Sequence, residues 1–211
     1  GVQTCALPIC RQSAMNRRWP SLLALLVAFL VSATAFVAVR ALRAPLLHGP
    51  TGYVLTDPDS YIHWRLVQRA LNGEPFNIRW ISEDNAPVGR FNEWTAPLTI
   101  LGVGWVRALE FFGGLTRDRA FELGGLWFGP AIGLCGLAAL GWLGWRAGGV
   151  ALGIGWMLAW PTLVQGMRVT QCGNTDHHGF HQVIAILMLG GCLATTRKRS
   201  EEHTSELQSH S

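Results

Sequence analysis

The sequence predicts an all-α membrane protein: a polytopic transmembrane helical bundle with surface-lying helices in its first external loop. Three observations carry that expectation. The chain is 49% hydrophobic and only 14% charged, whereas soluble domains carry about 25% charge. Apolar runs recur at Leu22–Val39, Leu123–Trp145, Val150–Gln165 and Gln182–Ala194, near the roughly 20 residues that a helix needs to cross a bilayer. Acids and several aromatics gather between the first two runs, from Arg43 to Glu93.

The ends read as foreign. Gly1–Ile9 and the stretch from Arg199 each resemble a translated sequencing adapter: one DNA segment can encode the first, and its reverse complement in another frame the second. Residues 1–14 are therefore set aside as an adapter-derived or untranslated head, and 199–211 as an adapter-derived tail. Residues 15–198 are expected to be the N-terminal part of a longer transmembrane domain, starting at Met15.

Leu22–Val39 has no charge and reads as a retained anchor. Arg17 and Arg18 before it favour a cytoplasmic N-terminus, weakened by Arg40 and Arg43 after it. In the polar region, Asp57 reads as an N-cap with Pro58 at the first helical position. Tyr61, Trp64, Val67 and Leu71 then recur at helical spacing. His63, Arg65 and Arg69 fall on the other side, so a short amphipathic helix is expected to lie on the membrane and stop at Asn72-Gly73. Asn85–Gly89 reads as a turn.

Ala96–Phe112 carries Pro97, Arg107 and Glu110. It is expected to be helical without crossing, because crossing would put the Asp59 and Asp176 loops on opposite faces. Arg146 then lies in a cytoplasmic turn, as the positive-inside bias prefers. Trp94, Trp105, Trp142, Trp145 and Trp160 read as interface anchors or packing, and the glycines of Gly124–Gly155 as points of close helix approach. The bases are scattered, which excludes a nucleic-acid stripe. Cys135, Cys172 and Cys192 have no disulfide-framework spacing.

Between the last two apolar runs lies Gly173-Asn174-Thr175-Asp176-His177-His178-Gly179-Phe180-His181. One acid and three imidazoles at a membrane boundary form a functional-site hypothesis by default. Asp176 and His178 can offer an oxygen and a nitrogen to one divalent cation. The alternative is that Asp176 only caps the next helix while the histidines sit in interfacial water.

Asp59-Ser60-Tyr61-Ile62-His63-Trp64-Arg65 resembles the first acidic motif of the oligosaccharyltransferase catalytic subunit. Ala86-Pro87-Val88-Gly89-Arg90 looks like the segment that follows it, and Asp176-His177-His178 resembles the second motif in its archaeal form. Arg168 is similar to a family arginine, one residue further upstream here. The resemblance spans about Arg17 to Thr196. It implies a multi-pass GT-C glycosyltransferase of the cell inner (plasma) membrane, using a polyprenyl-linked sugar donor within membrane lipid and a protein or lipid acceptor.

In that family a manganese or magnesium ion at the outer face neutralises the leaving pyrophosphate. The matching residues are Asp59, Asp176 and His178 for the metal, Asp59 also for polarising the acceptor, and Arg168 for a donor phosphate. His177 and His181 are expected beside the ligands and His63 in solvent. The family's later motifs are not in this sequence, so the 211 residues alone are not expected to be active. Two other classes fit the composition: a different GT-C transferase acting on a lipid or single-sugar acceptor, and a transporter with a metal site.

Overall fold

The computed structural model describes residues 18–50, 52–82, 86–92, 96–163 and 168–209, with backbone only for Arg18, Trp19, Ala194, Thr195 and Arg197–Ser209. The expectation that Gly1–Ile9 and Arg199–Ser211 make no packed contacts lies outside the described side chains. The described residues are mostly helical. Among the described residues six α-helices follow one another: α1 (Arg18–Ala41), α2 (Pro58–Leu71), α3 (Ala96–Gly113), α4 (Arg117–Gly148), α5 (Val150–Ala159) and α6 (His177–Ser209). Two short antiparallel ribbons, His48–Gly49 with Gly52–Tyr53 and Trp80–Ile81 with Arg90–Phe91, close the loops around α2.

Among the described residues, two helical stretches are long and apolar enough to cross a membrane, Pro20–Leu47 and Arg117–Gly148. They contain the first two expected spans. Val150–Gln165 is not one continuous helix. α5 stops at Ala159, and Trp160–Thr162 forms a 3-10 turn around Pro161, whose ring cannot continue the helical ladder.

α1 buries Ala28, Ser32, Phe36 and Arg40, one residue every four, which is a single stripe along a helix. Leu22, Leu23, Leu26 and Leu30 on its other faces are exposed. That stripe meets α4, whose inward face is largely glycine. A Cβ at Gly133 would lie 2.3 Å from Phe36 Cζ, and one at Gly141 2.5 Å from Met157 Sδ. At Gly144 it would meet the backbone of Gly153 at 2.8 Å. The glycines thus admit α1 and α5 to van der Waals contact with the α4 backbone, as expected from the sequence. Phe36, Leu137, Met157 and Trp160 fill the resulting core, and Trp160 Nε1 donates to the Gly133 carbonyl at 3.0 Å.

A second core lies between α2, α3 and α4: Trp64, Val67, Leu71, Leu98, Val106 and Phe128. α2 begins and ends where expected, with Asp57 as N-cap, Pro58 first, and Asn72 as C-cap. It is not a one-sided surface helix, however. It packs along α3, and its far side is covered by Ile78 and Ile81 against Leu66. His63 is buried at 4% exposure while Tyr61 is 48% exposed, which reverses the side expected for both. Ser60, His63, Trp64, Val67 and Leu71 share one stripe by the three-and-four rule.

α3 is helical as expected. Its two charges are paired with each other and with the start of α4: Arg107 to Glu110 at 2.7 Å, and Arg117 to Glu110 at 3.2 Å. The hydrogen bond from Arg107 is the main reason that the Glu110 carboxyl titrates below its ordinary value.

Candidate metal centre

The site forms where the start of α2 meets the loop before α6. Asp57 Oδ1 accepts from the Ser60 backbone N–H at 2.8 Å, and its Oδ2 from Ser60 Oγ at 2.7 Å. Its Oδ2 also accepts from Asn174 Nδ2 at 3.3 Å. Ser60 Oγ accepts in turn from the Thr175 backbone N–H at 2.9 Å, while Thr175 Oγ1 donates to the Ser60 carbonyl at 2.7 Å. Ser60 and Thr175 are both 1% exposed or less. Ser60, in the turn that Asp57 caps, therefore holds two segments 115 positions apart, and a buried N–H without such a partner costs about 1–3 kcal/mol.

α4 positions the same loop by a gap in its own ladder. Pro130 has no N–H to give the carbonyl four residues back. That carbonyl, Leu126 O, instead accepts from the Gly173 N–H at 2.9 Å. Gly129, one turn below, leaves room for the loop: a Cβ there would lie 2.5 Å from Asn174 O and 2.7 Å from Gln171 O. Gly173 has φ +73°, a left-handed backbone that favours glycine, and its carbonyl accepts from Thr56 N at 3.0 Å.

Arg40 completes the clamp. Its guanidinium is buried, with Nε donating to Thr170 O and Nη2 to Thr170 Oγ1, both at 2.8 Å, and it lies 3.2 Å over the Phe36 ring. In the sequence Arg40 stands only as a charge after an apolar run. Its place at the end of the 28, 32, 36, 40 stripe was the signal that could have revealed it.

Inside this frame Asp176 stands among imidazoles. Its Oδ1 accepts from the His177 backbone N–H at 2.6 Å, contacts His177 Nδ1, and lies 3.8 Å from His63 Nε2. Its Oδ2 faces His178 Nε2 at 3.3 Å. Among the described residues, two sets of three have donor atoms all within 4.8 Å of one another: His63, Asp176 and His177, and His177, His178 and His181. The Asp176 side chain is 8% exposed and that of His178 60%, so the cluster runs from the interior to the surface. Burial pushes the His63 imidazole down from 6.5 to about 4, opposed by Asp176 and reinforced by His177. His63 is thus neutral at physiological pH, the form that ligates a metal.

The residues singled out in the sequence are only partly brought together. Asp176 and His178 are adjacent. Asp59 is exposed on the first turn of α2 and belongs to neither set of three. It is close enough for its charge to act on His63. Arg168 is exposed just before the loop. His63 and His177, expected in solvent and beside the ligands, lie at the centre instead. Beside α2, a cleft of about 690 Å³ is lined by Tyr53, Tyr61, Trp64, Arg65, Arg119 and Glu122, among others.

No protein-family model matches the chain, and no curated protein matches it significantly.

Proposed function

We propose that the chain is part of a multi-pass membrane glycosyltransferase resembling the oligosaccharyltransferase catalytic subunit. It would transfer a glycan from a polyprenyl-(pyro)phosphate donor to a protein or lipid acceptor. The observation that carries this reading is the mutual hydrogen bonding of Ser60 and Thr175. It joins the two segments that resemble the family's acidic motifs, although 115 residues separate them.

The donors around Asp176 suit a divalent cation: one carboxylate with an imidazole, that of His178, at 3.3 Å on its outer oxygen. Asp176 and His178 would hold manganese or magnesium, with Asp59 completing the set of the resemblance. Such an ion supplies charge neutralisation for a leaving pyrophosphate. The exposed Asp59 carboxylate would accept a hydrogen bond from the acceptor nucleophile and draw off its proton. Arg168, also exposed, would pair with a donor phosphate oxygen. Aromatic and charged side chains in the cleft beside α2 suit a sugar ring, which offers C–H faces and hydroxyls.

The test is glycan transfer from a polyprenyl-pyrophosphate donor in membranes carrying the complete reading frame, titrated with manganese. Asp59→Ala and Asp176→Ala should abolish transfer, His178→Ala should weaken the metal dependence, and His177→Ala should matter less. Full activity in Asp176→Ala, or a parent protein indifferent to chelator, rules the metal-assisted mechanism out.

A further inference from the structure

We propose that His63, Asp176 and His177 form a site for a zinc-class divalent ion, with three protein ligands and an open position toward His178 and His181. It shares Asp176 with the transferase reading but takes His63 and His177 in place of Asp59 and His178, and another ion class, and it stands whether or not the chain transfers glycan.

The donor set is the first argument. Two imidazoles and one carboxylate, with a position left open, are a recurrent arrangement for zinc and for other late first-row ions. Magnesium favours oxygen donors and keeps much of its water. Around Asp176 the nitrogens outnumber the carboxylate groups.

Geometry is the second. His63 Nε2 and His177 Nδ1 both address the same carboxylate oxygen, Oδ1, and all three donors fall within 4.8 Å of one another. A tetrahedral ion with bonds of about 2.0–2.1 Å holds its donors roughly 3.4 Å apart. The trio therefore needs only small side-chain rotations. The His63 and His177 rings are 5.6 Å apart and inclined at 62°, edge to face and not stacked. As a ligand His177 would present Nδ1 unprotonated, with its ring proton on Nε2.

Support from the surroundings is the third. His63 sits on α2, and Asp176 and His177 at the start of α6. The Ser60–Thr175 pair and the Asp57–Asn174 bond fix these two segments against each other before any ion arrives. Asp176 Oδ2 remains turned to His178, which leaves that carboxylate oriented by a second imidazole, as ligating carboxylates commonly are.

The experiment is metal binding to the purified, chelator-stripped 211-residue chain in detergent, with cobalt(II) as a visible-absorbing probe and zinc as competitor. Expected are the intense visible bands of four- or five-coordinate cobalt and their loss on adding stoichiometric zinc. They should persist in a large excess of magnesium or manganese. His63→Ala and His177→Ala should each weaken cobalt binding by more than about 100-fold, while His181→Ala leaves it near the parent value. Circular dichroism checks that each variant is folded. If His63→Ala does not fold, His177→Ala decides, because the His177 side chain is 16% exposed against 5% for His63. Unchanged binding in a folded His177→Ala, loss of binding in His181→Ala, or displacement of cobalt by equimolar magnesium overturns the proposal. Failure of glycan transfer in the complete protein does not touch it, since the measurement contains no donor or acceptor.

Discussion

The region where α1 and α5 meet α4 and the region where α2 meets the Asp176 loop are built by opposite means. In the first, shape decides. Phe36, Met157 and Trp160 occupy space that Gly133, Gly141 and Gly136 leave open on α4, and the one hydrogen bond of note is Trp160 to the Gly133 carbonyl. In the second, polar groups decide. Asp57, Ser60, Asn174 and Thr175 satisfy one another across 115 to 117 positions, and Arg40 reaches Thr170 across 130. Close packing forgives a sliding contact between apolar surfaces. A buried polar network does not, because each group left unpaired costs the desolvation of that group. The polar region is therefore where titratable side chains can be held in one arrangement.

The largest way to break this contrast is acid. His63 is held near pKa 4 by burial, against 6.5 for an exposed imidazole. Between those values the unfolded chain takes up the proton and the folded chain resists it. Stability is then full above about pH 6.5 and falls as pH drops toward 4, by about 3 kcal/mol in all. Denaturant unfolding of chelator-treated protein at pH 7 and pH 4.5 should show most of that loss, and His63→Gln should flatten the slope. An unchanged slope in that variant assigns the acid sensitivity to other groups.

Gly129 sharpens the contrast, since it lies on α4 but faces the polar loop. Gly129→Ala drives a methyl into the Asn174 and Gln171 carbonyls, which are backbone and cannot swing aside. A loss of about 2 kcal/mol is expected. Gly104→Ala on α3 is the control: nothing lies within 4 Å of its Cβ, and the substitution should be neutral or stabilise by up to about 1 kcal/mol. Thermal unfolding of both variants decides the comparison, and equal effects would show that the loop does not rest on α4.

The smallest expected effect is the most local. Ser60→Ala removes the acceptor for the buried Thr175 N–H and costs about 1 kcal/mol overall. Amide exchange at Thr175 and His177 should quicken in that variant while α1 and α5 keep their protection. Uniform quickening in all helices would mean that the two regions unfold as one.

Local chemistry determined much of this fold. The Asp57-Pro58 start and Asn72-Gly73 end of α2, the helical nature of Ala96–Phe112, and the two long apolar helices were legible because each depends on residues within a few positions. So was the role of the α4 glycines, and so was the clustering of Asp176 with three histidines, which are neighbours in the chain. Only the tertiary structure decided which groups meet Asp176. His63 comes from α2, on a stripe whose apolar residues also served for a helix lying on a membrane. Asp59, four positions away, stays exposed. The two lie on one face of α2, a turn apart, and Asp176 and His177 meet His63 from the loop before α6 and its first residue. The same holds for Leu126 O and Gly173: Pro130 shows from sequence that a carbonyl is released, but only folding brings its donor.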